Sequence, residues 1–130
     1  MGYIDWDTSW ANLGTINQTI NASSNTVFGT VSNDTKVATE VSIIGTFAAG
    51  ASSSSAVVQI ERDIDGTNFE SQAAASWTVP LPFTAASTQT ELVITVGADR
   101  VGKFRVRVVN DDASNALSSV TVRTRQAVTA

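Results

Sequence analysis

The chain contains no cysteine and no histidine. Without cysteine it forms no disulfide, so its folding does not depend on an oxidising compartment. Without either residue, Ser-His-Asp and Cys-His catalysis, the usual zinc sites and imidazole acid–base chemistry are excluded. Charge is scarce too: Asp, Glu, Lys and Arg make up 15% of the chain, against about 25% in a typical domain. The polar surface must therefore be built largely from Ser, Thr, Asn and Gln. No apolar run approaches the ~20 residues of a membrane span, and the opening Met1–Asp7 stretch has neither the basic nor the apolar region of a signal peptide, so a chain outside the membrane and not classically exported is expected. No Gly-rich phosphate loop or dinucleotide fingerprint occurs, so no cofactor is expected. Twelve acids leave a paired-carboxylate glycosidase formally open, but that mechanism needs two carboxylates across a cleft. A short-looped domain offers little cleft, and the chain is expected not to be an enzyme.

What the sequence does have is apolar substance and a period of two. At 130 residues, 42% of them hydrophobic, the chain suits one domain with a true core. From Lys36 onward apolar and small polar residues alternate, as in half-buried strands. Val37, Val41, Ile43 and Phe47 share one face, with Glu40, Ser42 and Thr46 opposite, and Gly45 marks a bend or bulge. Val58 and Ile60 face inward, with Gln59, Glu61 and Asp63 outward. Trp77, Val79, Leu81 and Phe83 alternate next, but Pro80 and Pro82 cannot donate ladder hydrogen bonds, which assigns that strand to a sheet edge. Leu92, Ile94 and Val96 form a further inward row, ended by Gly97 and an Ala98–Asp99 turn. Phe104, Val106 and Val108 follow, then Asn110–Asp112 as a turn, then Val120 and Val122. With one or two more strands from Leu13 to Ile20 and Thr26 to Val31, the count is seven or eight. This pattern predicts an all-β fold: a single antiparallel β-sandwich, Ig-like or jelly-roll. Residues 1–35, which hold no Lys or Arg, read as an N-terminal arm with marginal strands, and residues 36–130 as the β-sandwich domain.

Between two of these strands, Asp65-Gly66 supplies the φ > 0 position of a tight turn, and Phe69 starts the return. The acids of Glu61-Arg62-Asp63-Ile64-Asp65-Gly66 alternate before a glycine, like the start of a calcium loop, but the twelfth position is Gln72 where a bidentate Glu is needed. A plain hairpin is the expectation. A weak cation site of Asp63, Asp65 and Asn68 is the alternative.

Charge and aromatics are unevenly placed. Residues 1–99 carry a net charge of minus eight and residues 100–130 of plus four. Lys103, Arg105 and Arg107 alternate with inward residues, as do Arg123 and Arg125, so each set gathers on an outward face. If the two strands pair as a hairpin around Asn110–Ala116, up to five cations share one sheet face. Three partners are open for that face: Glu61 and Asp63 of a neighbouring strand, an acidic patch on another subunit, or nucleic acid. Overall acidity disfavours the last, and no nucleic acid or membrane partner is expected. Tyr3, Trp6 and Trp10 put three of nine aromatics in the first ten residues. They read either as interface anchors or as a lid folded back on the protein's own core.

The stretch from Val41 to Arg125 resembles small β-sandwich virion proteins of tailed bacteriophages. The resemblance rests chiefly on Val58-Gln59-Ile60-Glu61-Arg62-Asp63-Ile64-Asp65-Gly66-Thr67-Asn68-Phe69 and Phe104-Arg105-Val106-Arg107-Val108. It implies a capsid decoration (cement) protein on the outer head shell of the virion, made in the host cytoplasm. Its partners would be the major capsid protein and sister subunits, with a homotrimer as the expected state. In this reading Tyr3, Trp6 and Trp10 anchor the arm to a neighbour, and Arg105, Arg107, Arg123 and Arg125 meet acidic residues of the shell or a sister subunit. The alternatives are a neck or tail ring component, and a carbohydrate- or receptor-binding tail module with Trp77 and the 49–55 loop facing a glycan.

Overall fold

The computed structural model describes residues 4–47, 56–82, 87–98 and 101–129. Among these residues there are nine strands and a single 3-10 turn at Gln72–Ala74: β1 (Ile4–Trp6), β2 (Ala11–Ile20), β3 (Ser24–Ser32), β4 (Ala38–Phe47), β5 (Ala56–Arg62), β6 (Trp77–Pro80), β7 (Gln89–Gly97), β8 (Lys103–Asn110) and β9 (Leu117–Thr129). Strands β2, β9, β4 and β7 lie side by side in one sheet, with β1 on the far end of β9, and β3, β8, β5 and β6 form the other. All pairings are antiparallel.

The order has a simple logic. β2 pairs with β9, β3 with β8, β4 with β7 and β5 with β6, so strands β2 to β9 form one long hairpin with its tip between β5 and β6. That hairpin rolls up, and the roll is closed by β4 against β9 and β5 against β8. This double Greek key is the jelly roll, and it decides between the two sandwich topologies that strand alternation leaves open.

The alternation itself is accurate. Val41, Ile43 and Phe47 of β4, Val58 and Ile60 of β5, Phe104, Val106 and Val108 of β8, and Leu117, Val120 and Val122 of β9 form the buried core between the sheets. Leu92, Ile94 and Trp77 pack against it from β7 and β6. β6, with Pro80, is an edge strand, where a missing N–H does not break the ladder. Phe83, Asp99 and the 49–55 loop lie outside the described residues.

Four expectations change. First, residues 4–32 are not an arm beside the sandwich: β1 and β2 extend the sheet of β9, β3 completes the other sheet, and Ile20, Phe28 and Val31 enter the core. Their Asn- and Thr-rich strands are stabilised by neighbours far along the chain. Second, the described strands number nine. Third, the irregularity near Gly45 belongs to the opposite strand. One extra residue lies in β9 between Ser118 and Thr121, with Ser119 at φ 54°, and the missing side chain of Gly45 makes room for Leu117. Fourth, β8 and β9 do not pair with each other. The Asn110 amide donates to the carbonyls of Ile20, Asn21 and Asn115, and Ser23 N–H donates to the Asp112 carbonyl. The chain after β8 is thereby tied to the β2–β3 turn and crosses to the other sheet.

Candidate functional site

Because β8 and β9 lie in different sheets, the two sets of cations occupy opposite outer faces of the molecule. Side chains one residue out of phase with the core point outward, which puts Arg105 and Arg107 on the face of the β3-β8-β5-β6 sheet. There β5 sets Glu61 opposite Arg105 and Gln59 opposite Arg107. Arg105 Nε donates to Glu61 Oε1 at 2.5 Å and Arg107 Nε to Glu61 Oε2 at 2.8 Å. Glu61 was expected outward in water, but its side chain is 0% exposed. Segment 69–72 explains the difference, since it folds over this face: Phe69 lies under the cations of Arg105 and Lys103, Arg105 Nη2 donates to the Glu70 carbonyl, and Gln59 Nε2 to the Gln72 carbonyl. Of the three partners open for these arginines, the neighbouring-strand acid occupies their forks, through Glu61 and not Asp63.

Glu70 holds the segment in place. Its Oε1 accepts from the backbone N–H of Arg62 and of Ser76 and from the Ser76 hydroxyl. Burial pushes this carboxyl up, but those hydrogen bonds and the nearby Arg62 guanidinium outweigh it and hold the group below the ordinary glutamate value. At the neighbouring turn, Asp63 Oδ1 accepts from Gly66 N–H. Asp65 accepts from the Asn68 amide and from the backbone N–H of Thr67 and Asn68; these bonds, the Asn68 amide foremost, lower its pKa. The alternating acids thus satisfy the turn's own donors. Among the described residues no group of three or more acidic side chains is placed to hold a metal.

On the opposite face, β9 carries Arg123 and Arg125 beside Ser42 and Glu40 of β4. Arg125 Nε donates to Glu40 Oε1 at 2.6 Å, and its guanidinium lies 5.4 Å from the ring centroid of Trp6 and 4.9 Å from that of Trp10. The two tryptophans therefore neither lid the core nor project freely. They clamp a cation on the outside of their own sheet, as cation–π attraction favours. Tyr3 lies outside the described residues.

Arg123 differs from the other three arginines expected at interfaces. It donates from Nε to Asn12 Oδ1 and has no carboxylate partner among the described residues. It borders a groove of about 460 Å³ lined by Trp10, Ser42, Ile44, Gln89, Glu91 and Arg123. The register explains the shape: short Ser42 and Ile44 of the central β4 form the floor, Trp10 and Arg123 rise on the β2–β9 side, and Gln89 and Glu91 on the β7 side. Sequence reading finds Ser42 and Arg123 as outward residues and Trp10 as an interface anchor or a core lid. It misses Gln89 and Glu91, because nothing local to β7 tells which strand lies beside it.

Set against known proteins, the chain matches no family model and no curated protein. Several solved chains are similar in structure. One of them, from the disulfide-linked pili of Bacillus endospore appendages, is 14% identical, with a TM-score of 0.45 over 98% of this chain and 91% of that one.

Proposed function

We propose that the protein is a structural subunit that binds and assembles without catalysis: a capsid decoration protein on the outer head shell of a tailed bacteriophage, working together with sister subunits. The observation that carries this reading is the edge formed by β1, β2 and the end of β9. Ile4 is 56% exposed there and Ile16 45%. Apolar side chains left in water along a sheet border support a surface that meets another protein. The bulge displaying Ile16 is rigidly held: Gly14 and Asn17 take positive φ, and Asn17 N–H donates to the Thr121 hydroxyl.

This revises which residues meet the partner. Arg105, Arg107 and Arg125 already have internal acids, so Ile4 and Ile16 provide the docking area. Native mass measurement, then co-sedimentation with undecorated heads, tests the proposal. Saturable binding that Ile4→Asp with Ile16→Asp reduces by about tenfold or more, equivalent to ~1.4 kcal/mol, supports it. Absence of binding to heads overturns it.

A further inference from the structure

The groove above β4 has a chemistry of its own. One wall carries the Trp10 indole, 36% exposed, with Arg125 against one ring face. Beside it, Arg123 keeps guanidinium donors beyond the Nε committed to Asn12. The opposite wall carries Glu91 and Gln89, and the floor carries the Ser42 hydroxyl and the Ile44 side chain. Neither Arg123 nor Glu91 has an ion-pair partner among the described residues. One cation faces one anion, so the groove has no net charge with which to select a ligand of one sign. What it does offer is an aromatic plane next to a fork of donors, a pair of carboxylate acceptors, a primary amide and a hydroxyl. The matching ligand has flat C–H faces and adjacent hydroxyls that donate and accept at once.

We propose that this groove is a binding site for a short neutral saccharide built of hexose units. A sugar ring lies against Trp10, while neighbouring hydroxyls bridge from Arg123 to Glu91 and Gln89 across the floor at Ser42. The volume falls within the ~300–1,000 Å³ range of small-ligand sites. Arg123, Ser42, Ile44, Gln89 and Glu91 stand on strands β9, β4 and β7 of one hydrogen-bonded sheet, and Trp10, just before β2, is held against Arg125, so the walls are positioned before the ligand arrives. Trp77, which the carbohydrate-binding alternative turns toward a glycan, packs instead against the core. The site is independent of the β1/β2 docking edge: it stands or falls separately from the decoration reading.

The test titrates the full chain with maltotriose, chitotriose and lactose, and with sialyllactose as the charged comparator, by calorimetry and by amide NMR shifts. Saturable binding of at least one neutral sugar is expected, with shifts at Ser42, Ile44 and Glu91. Trp10→Ala and Glu91→Ala are each expected to weaken it by about tenfold or more, ~1.4 kcal/mol, with Trp77→Phe binding as the parent. Glu91 lies exposed on an edge strand, so its variant reads out binding in a protein that still folds. The proposal is overturned if none of the neutral sugars binds, if binding survives Glu91→Ala unchanged, if Trp77→Phe abolishes it, or if sialyllactose binds more tightly than every neutral sugar.

Discussion

Arg107 grips Glu61 from two nitrogens, Nε at 2.8 Å from Oε2 and Nη2 at 3.3 Å from Oε1, while Nη1 bonds Asn25 on the far side. Glu61 is thereby the hub joining β5, β8 and β3 on one outer face. With Arg105 on its other side, it is a fully buried anion between two largely buried cations. Such an arrangement tolerates loss of the anion poorly, because two arginines are left desolvated and repelling each other. Glu61→Ala is therefore expected to lower unfolding free energy by about 3 kcal/mol or more, read from urea denaturation midpoints. Arg105→Met, which leaves Arg107 to satisfy Glu61, is expected to cost less. Equal stability of Glu61→Ala and the parent would refute the hub.

Asn33 is buried and joins three segments: its amide donates to the carbonyls of Val96 and Val101, and its Oδ1 accepts from the Thr39 hydroxyl. Asn33→Leu keeps the branched side-chain shape and strands all three partners. A loss of about 1–3 kcal/mol follows for each group left unsatisfied, together with faster amide exchange at the β7–β8 connection.

Gly14 has φ +72°, and a side chain there would drive its Cβ into the Phe28 carbonyl oxygen. Gly14→Ala thus meets both left-handed strain and a backbone clash where β2 crosses β3. It is expected to destabilise by more than the ~1 kcal/mol of a Gly-to-Ala change at an ordinary left-handed position, in thermal melts, and to broaden the NMR signals of Ile16 and Asn17. An unchanged melting temperature would show that β2 does not pass this close.

The depressed pKa of Glu70 makes stability depend on pH. A carboxyl bound more tightly as the anion in the folded state adds stability that is fully present above its unfolded value, about 4.3. The contribution is lost as pH falls below that value through the lower folded one. The parent is expected to lose stability relative to Glu70→Gln as pH falls from neutral to below 4, the two curves converging in acid. Parallel curves would show that Glu70 does not hold segment 69–76 as an anion.

Much of the fold was legible because burial in a two-sheet protein imposes a period of two on each strand. The apolar rows of β4, β5, β7, β8 and β9 follow it, and Pro80 marked an edge for a reason local to its own nitrogen. The site was legible only in part. Arg105, Arg107, Arg123 and Arg125 were recognisable as outward, but their partners were not. Glu61 is 44 and 46 residues from its arginines, and Glu40 is 85 from Arg125. The hairpin placed between β8 and β9 failed because the turn at Asn110 is tied to residues 20 and 21, a contact invisible to any local window.

The sequence by itself determined that this is a cysteine- and histidine-free, all-β domain with a true core. Those properties follow from composition and from the alternation that a half-buried strand must have. Tertiary structure decided the rest: that the roll is a jelly roll, that residues 4–32 belong to it, that the two arginine sets face away from each other, and that Trp10, Arg123 and Glu91 border one groove. The physical reason is that strand pairing is a long-range choice. A strand's own residues say which face is buried, but only its neighbours in the sheet say what stands beside it on the face that is not.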